Sequence, residues 1–223
     1  MTIFIEYFKK LMSESHFKYH HFPWSTLLED NWKVIQEELF QLFDQDINQW
    51  FLAHPHYIKS SSDKAWKTFE FFFFGIKNLE NCKKCPRTFE LLQQIPELVT
   101  AQFSVLEPGT VIEPHKGYTR MVLRNHLALK VPSKELCKLK IEEEEYSWEE
   151  GKLVTFDDSK THEAWNLSNE TRMVLMLDVA NPEMPYSALE ICQYKLERLE
   201  DPFLLEIAPQ ATWLTWLNDG YFS

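Results

Sequence analysis

Glycine is scarce in this 223-residue chain, with five in all, at Gly75, Gly109, Gly117, Gly151 and Gly220. A Walker phosphate loop and a G-x-G-x-x-G dinucleotide turn both need clustered glycines, so neither nucleotide-binding signature fits here. Collagen-like and glycine-rich linker readings fail for the same reason. Basic charge is also in short supply: 23 Lys and Arg stand against 34 Asp and Glu, a net charge of −11. A surface that tracks phosphates needs the opposite sign, which speaks against nucleic acid and anionic membrane as partners. Nor is there an uninterrupted apolar run of the ~18–20 residues that a membrane span requires; Phe71–Phe74 is a strand-length patch. Met1–Met12 carries Glu6 and two lysines and has no small-residue cleavage site behind it, unlike a secretory signal. The four cysteines, Cys82, Cys85, Cys137 and Cys192, are then expected to be reduced thiols in a cytoplasmic protein.

What is present is apolar and aromatic. Hydrophobic residues make up 44% and aromatics 15%, enough for a folded core rather than a disordered chain. Three stretches follow one another within one structural domain. Residues 1–65 read as a helical segment packing on the core. Within it Leu28, Trp32, Ile35, Leu39 and Leu42 recur at helical spacing behind the capping-box pattern Thr26-Leu-Leu-Glu29, predicting a helix over 26–44. Residues 66–182 change to short apolar runs separated by turn signals such as Pro108-Gly109 and Glu150-Gly151, which predicts an antiparallel sandwich or barrel. Residues 183–223 form an extension, helical over 188–199, with an aromatic patch at Thr212–Trp216.

Period-two alternation sorts the strand residues by face. Along Val122–Val131, Arg124, His126 and Ala128 face one way, and Leu123, Leu127 and Leu129 the other. In the last strand Arg172, Val174, Met176 and Asp178 share a face. An arginine flanked by apolar residues near a sandwich core needs a partner, since an unpaired buried charge is costly. Two readings stay open on this pattern: Arg124, His126 and Arg172 converge on a cavity that binds an acid, or these faces meet solvent.

Of the eight histidines, those at 16, 20, 21, 54 and 56 lie among charges and prolines and read as surface or packing residues. His115 and His162 sit near strand ends, about fifty residues apart in an all-β region, as in jelly-roll oxygenases with non-haem iron. The usual facial triad adds an Asp or Glu two residues after the first histidine, and here that position is Gly117. Cys82-Lys-Lys-Cys85 is half of a zinc ribbon without a second close pair. Neither a G-x-S-x-G elbow nor an H-E-x-x-H motif occurs.

Five blocks in order then carry a specific resemblance. They are Phe103-Ser-Val-Leu-Glu-Pro-Gly-Thr-Val-Ile-Glu-Pro-His115-Lys-Gly117, Leu123-Arg-Asn-His-Leu-Ala-Leu129, Trp148-Glu-Glu-Gly-Lys-Leu-Val-Thr-Phe-Asp-Asp-Ser159, His162-Glu-Ala-Trp165 and Arg172-Met-Val-Leu-Met-Leu-Asp-Val179. Together they closely resemble the aspartyl/asparaginyl β-hydroxylase family over roughly 66–182, and Phe22-Pro-Trp looks like its lead-in. The resemblance implies a mainly β fold, a double-stranded β-helix of the jelly-roll or cupin type, flanked here by N-terminal and C-terminal helices. It also implies hydroxylation of an unactivated C–H dependent on Fe(II), O₂ and 2-oxoglutarate, with glycine in place of the metal carboxylate. By position His115 and His162 would hold the metal, and Arg172 would pair with the distal carboxylate of 2-oxoglutarate. Trp66, Ser104, Arg124 and His126 would contact the cosubstrate. The expected substrate is the β-carbon of Asp or Asn, in a peptide or a small molecule. A lipid acyl hydroxylase and a non-catalytic jelly-roll binding protein are the alternatives. Unlike the family, the last strand runs into Ala180-Asn-Pro182 rather than Trp-His-Pro, and the extension after Pro182 has no counterpart.

Overall fold

A computed structural model describes residues 17–18, 22–45, 51–52 and 66–219. The histidines at 16, 20, 21, 54 and 56 lie outside the described residues, as does much of the stretch read as helical at 1–65. Two short strands, β1 (Phe17–Lys18) and β2 (Phe51–Leu52), replace the purely helical expectation for that stretch. The helix expected over 26–44 is two helices, α1 (Ser25–Asp30) and α2 (Trp32–Gln45), broken at Asn31. The Asn31 side chain donates to Leu27 O at 2.8 Å and so caps the first helix. The Thr26/Glu29 capping box does not form. Glu29 accepts instead from the backbone N–H of Leu153, 2.9 Å away, and pairs with Lys152, tying α1 to the sheet. Tertiary contact has outcompeted the local cap.

The β region forms two antiparallel sheets. The larger has the order β1-β10-β7-β12-β5-β3-β2, with β4 (Ile76–Lys77) added to β3. Its long strands are β3 (Trp66–Phe73), β5 (Leu98–Leu106), β7 (Val122–Lys130), β10 (Leu153–Phe156) and β12 (Arg172–Ala180). The smaller has the order β6-β11-β8-β9, built from β6 (Thr110–His115), β8 (Cys137–Ile141), β9 (Glu144–Tyr146) and β11 (His162–Asn166). Apart from the local β3–β4 and β8–β9 hairpins, neighbours in both sheets come from distant parts of the chain, and the two sheets face each other as the double-stranded β-helix requires.

Alternation places the cores. Ile112, Leu139, Ile141 and Ala164 of the small sheet meet Leu106, Ala128, Val154, Phe156, Val174 and Met176 of the large one, filling the space between the sheets. The opposite residues of the large sheet, among them Phe69, Phe103, Leu127, Leu129, Leu175 and Leu177, pack against Leu28, Ile35, Leu39 and Leu42 of the first two helices. Helices α3 (Leu79–Lys84) and α4 (Pro86–Leu92) close the same side and bury Cys82 and Cys85 in it. A third core joins Phe74, Val99, Val122 and Ala180 to the C-terminal helices α5 (Ala188–Glu197), α6 (Pro202–Ile207) and α7 (Gln210–Asn218). A true capping box starts α5, with Ser187 and Glu190 exchanging hydrogen bonds. No helix among the described residues is long and apolar enough to cross a membrane.

Candidate active site

His162 at the start of β11 lies directly opposite His115 at the end of β6 in the antiparallel register, and their ring centroids are 4.2 Å apart. Residues about fifty positions apart are thereby made a cross-strand pair. Each ring is oriented in the same way: His115 Nδ1 is 2.8 Å from Glu113 O and His162 Nδ1 is 3.0 Å from Lys160 O. A carbonyl partner puts the proton on Nδ1 and the lone pair on Nε2, the tautomer a metal needs. Burial, then the neighbouring His115 and Arg124, pull His162 down to about 3, so it is neutral at physiological pH.

Gly117 lies beside this pair for want of space. Its φ is outside the left-handed region, so the backbone there accepts any residue, but an added Cβ would lie 2.1 Å from Asp158 Oδ2 and 2.3 Å from Cγ. The Asp158 carboxylate fills the volume that a side chain at 117 would occupy. Asp158 is fully buried, just past β10, and Oδ2 lies 2.9 Å from Arg124 Nη2, although neither oxygen receives a well-directed hydrogen bond among the described residues. Arg124 is held by its cross-strand neighbour Asp178 through two bonds of 2.9 Å, from Nε to Oδ1 and from Nη2 to Oδ2. Burial works against the Arg124 charge, but Asp158 and Asp178 outweigh it and hold the guanidinium ionised; burial likewise pushes the Asp158 carboxyl up. No group of three or more His, Cys, Asp or Glu side chains among the described residues is arranged to hold a metal, so the histidine pair stands without a third protein ligand.

Arg172 lies deeper, 2% exposed, with no carboxylate partner among the described residues. Its guanidinium carbon stands 4.8 Å over the Trp148 ring, Nη1 reaches Ser104 O at 3.5 Å, and Nε has no acceptor among the described residues. Burial pulls this guanidinium down to about 10. Around it, Trp148 Nε1 and both ring nitrogens of His126 also lack partners among the described residues. His126 packs edge-on against Phe156 and in parallel with Trp148, with ring centroids 5.1 and 6.0 Å away. Burial and the two arginines hold it neutral. Trp66 Nε1 donates to Ser104 Oγ at 3.1 Å, which fixes the near wall. The strand alternation thus resolves in favour of a buried cluster, since both arginines and His126 face the space between the sheets rather than solvent.

A cavity of about 690 Å³ opens beside this cluster, with Trp66, His115, Gly117, Arg124 and Met176 in its lining; Arg172 and His126 lie beyond that lining, in the sheet interior. Its lining includes further polar groups, among them Glu70, whose Oε2 has no partner among the described residues, and Tyr118, whose hydroxyl is likewise unsatisfied there. Burial raises the Glu70 carboxyl, while a hydrogen bond from Thr68 partly opposes the shift. Sequence reasoning named none of Glu70, Tyr118, Trp148 or Asp158 as site residues. For Asp158 a signal existed, because it lies within the family-like run Trp148–Ser159 and four residues before His162, but its filling of the space beside Gly117 is visible only in three dimensions. The Cys82/Cys85 pair lies elsewhere, in the helical-side core, where burial pushes the thiols up to about 11 and about 12.

In sequence, residues 29–182 match the family described as aspartyl/asparaginyl beta-hydroxylase. The chain is 39% identical over 164 residues to an ornithine lipid ester-linked acyl 2-hydroxylase of Rhizobium tropici, covering 72% of this chain and 58% of the relative. It is 36% identical over 162 residues to the human aspartyl/asparaginyl beta-hydroxylase, covering 70% of this chain and 21% of that protein. The chain therefore spans only part of the length of these relatives. Among solved structures, a Pseudomonas putida prolyl-4-hydroxylase superposes with a TM-score of 0.46 at 13% identity, over 76% of this chain and 95% of the other.

Proposed function

The chain belongs to the aspartyl/asparaginyl beta-hydroxylase family, and from that premise we propose that it is an Fe(II)- and 2-oxoglutarate-dependent dioxygenase that hydroxylates an unactivated C–H bond. The observation that carries the reading is Arg172, a buried guanidinium without an anionic partner among the described residues, surrounded by the unsatisfied donors of His126 and Trp148. An unpaired buried polar donor costs about 1–3 kcal/mol and a charge more, so such a cluster fits a site completed by an acidic ligand. The dicarboxylate 2-oxoglutarate suits it, with its distal carboxylate on Arg172. The histidine pair, already in its metal-binding tautomer, fits iron through the two Nε2 atoms.

Bound iron, O₂ and 2-oxoglutarate supply the chemistry: substrate C–H becomes C–OH while the cosubstrate leaves as succinate and CO₂. The chain's own residues do the rest. Arg172 neutralises and orients the cosubstrate, and Ser104, Trp66 and His126 bound its pocket. Arg124, which the family resemblance assigns to the cosubstrate, is held in place by Asp178 and Asp158 beside the histidine pair. The inter-sheet core excludes water from the reacting face. Position 117 offers no side-chain ligand, so His115 and His162 would be the residues that hold iron, and turnover does not require Gly117→Asp.

The reacting carbon is the β-carbon of an Asp or Asn or an equivalent position in a small molecule. The names of the two relatives agree on one chemical point, because an aspartyl β-carbon and C2 of an acyl chain are both methylenes adjacent to a carbonyl carbon. We assign the same class of carbon to this chain's substrate. The test is aerobic incubation with Fe(II) and 2-oxoglutarate, following succinate. Uncoupled succinate formation is expected even without substrate, and 2-oxoglutarate analogues should raise the melting temperature. Neither succinate nor any melting shift would leave a non-catalytic jelly-roll binding protein as the better reading.

A further inference from the structure

The cavity beside the histidine pair is not built by the family-matched residues alone. Phe203, Leu204, Ile207, Trp213 and Trp216 also line it, all from α6 and α7, beyond the match that stops at 182. Rings connect the two ends. Tyr118, next to Gly117, meets Phe74 with centroids 5.0 Å apart; Phe74 meets Phe73 at 4.7 Å, Phe73 meets Trp213 at 5.9 Å, and Trp213 meets Trp216 at 5.1 Å.

The chain accepts strain to hold this wall. Phe74 has φ 44° and Gly75 has φ 73°, forming the two-residue loop between the paired residues Phe73 and Ile76. An aromatic residue in the left-handed region is disfavoured, yet Phe74 is 3% exposed and its ring faces the cavity wall. At the rim, Leu79 and Ile207 are about half exposed, so the apolar surface reaches solvent.

We propose that the segment after Pro182 is the substrate-selecting wall, and that the substrate is a small amphiphile. Its carbonyl-bearing end lies at the histidine pair, and its unbranched apolar chain lies along Phe74, Phe73, Trp213 and Trp216. Polar side chains share the lining, Lys77, Asn78, Lys195 and Asp201 among them, but along the aromatic stretch itself the N–H and C=O groups of a peptide main chain would find few partners. The Trp213 indole N–H is already committed to Leu204 O and Ala208 O, at 3.1 and 3.0 Å. The reading of what happens at the histidines rests on the oxygenase assignment; the binding of the chain does not.

The experiment uses a terminally brominated dodecanoate as a tryptophan-fluorescence quencher, with straight-chain carboxylates of four to twelve carbons as competitors. Saturable quenching is expected, with competitor affinity rising two- to about fourfold per added methylene until the wall is filled. Trp216→Phe should cut the quenching amplitude. Ile207→Glu should weaken binding at least about tenfold by setting a charge against the chain, with Ile207→Gln as the milder variant should the first not fold. Leu189→Glu, on an exposed residue of α5 outside the cavity lining, should leave affinity unchanged. Affinity independent of chain length, equal effects at Ile207 and Leu189, or stronger competition by an apolar peptide would overturn the proposal. Succinate formation by the unaltered protein is followed in parallel. Chain-dependent quenching without succinate refutes the oxygenase reading alone, and succinate without chain dependence refutes the apolar wall alone.

Discussion

Replacing Gly117 with alanine tests the tightest contact in the site. The new Cβ would lie 2.1 Å from Asp158 Oδ2, about 1.3 Å short of ordinary contact at 3.4 Å. The backbone at 117 needs no left-handed φ, so the whole penalty comes from displacing a carboxylate that is fully buried and paired with Arg124. Forcing one extra carbon into a packed interior costs about 1–3 kcal/mol. Partial loss of the Asp158–Arg124 contact adds to that, although Arg124 keeps Asp178. A destabilisation of about 2–3 kcal/mol is expected, which lowers the melting temperature of a chain of this size by about 4–12 °C. The decisive comparison is a double-mutant cycle with Asp158→Ala. Once the carboxylate is gone, Gly117→Ala should cost less than about 0.5 kcal/mol, giving a coupling well above the additivity limit. Equal costs in the two backgrounds would refute the claim that position 117 is glycine to make room for Asp158.

Arg172→Met should behave as a site residue rather than a structural one. Without ligands the variant should melt higher than the native protein, by roughly 1–3 kcal/mol of stability, because an unpaired buried charge has been replaced by an apolar side chain. It should also lose the ~2.7 kcal/mol of stabilisation that 2-oxoglutarate at a hundredfold its Kd would confer; a lower melting temperature with binding intact would contradict the assignment. His115→Ala and His162→Ala should each abolish the rise in melting temperature caused by anaerobic Fe(II), whereas Cys82→Ala should leave that rise in place. The reverse pattern would move the metal to the cysteines. For Glu70, burial raises the folded-state pKa above the unfolded one, so its stabilising contribution is full at low pH and is lost as pH rises through that shifted value. The melting temperature of Glu70→Gln should therefore gain on the native protein between pH 4 and pH 8, and a constant difference would place Glu70 in a solvated setting.

Sequence alone reached the strand faces, since the two-residue repeat is a property of any strand: Arg124 with His126, and Arg172 with Val174, Met176 and Asp178, emerge on shared faces. It reached the histidine pair as two candidates, with Gly117 where a carboxylate would ordinarily be. It misjudged the entry to α1, because Glu29 has a better partner in the N–H of Leu153, more than a hundred residues away, than in its own helix end. Local propensity cannot weigh a competitor it cannot see.

Tertiary structure decided everything that depends on register and on the meeting of distant segments. It set His115 opposite His162, and it put Asp158 into the space that Gly117 leaves. Asp178 and Asp158 were given to Arg124, while Arg172 was left without an anion among the described residues. Helices α6 and α7 were brought against the same cavity, although their aromatic residues carry no motif. The physical reason is the same in each case. Periodicity assigns a side chain to a face, whereas the chemistry of a site depends on which other face it meets and at what distance, and that is fixed only when the two sheets and the C-terminal helices pack together.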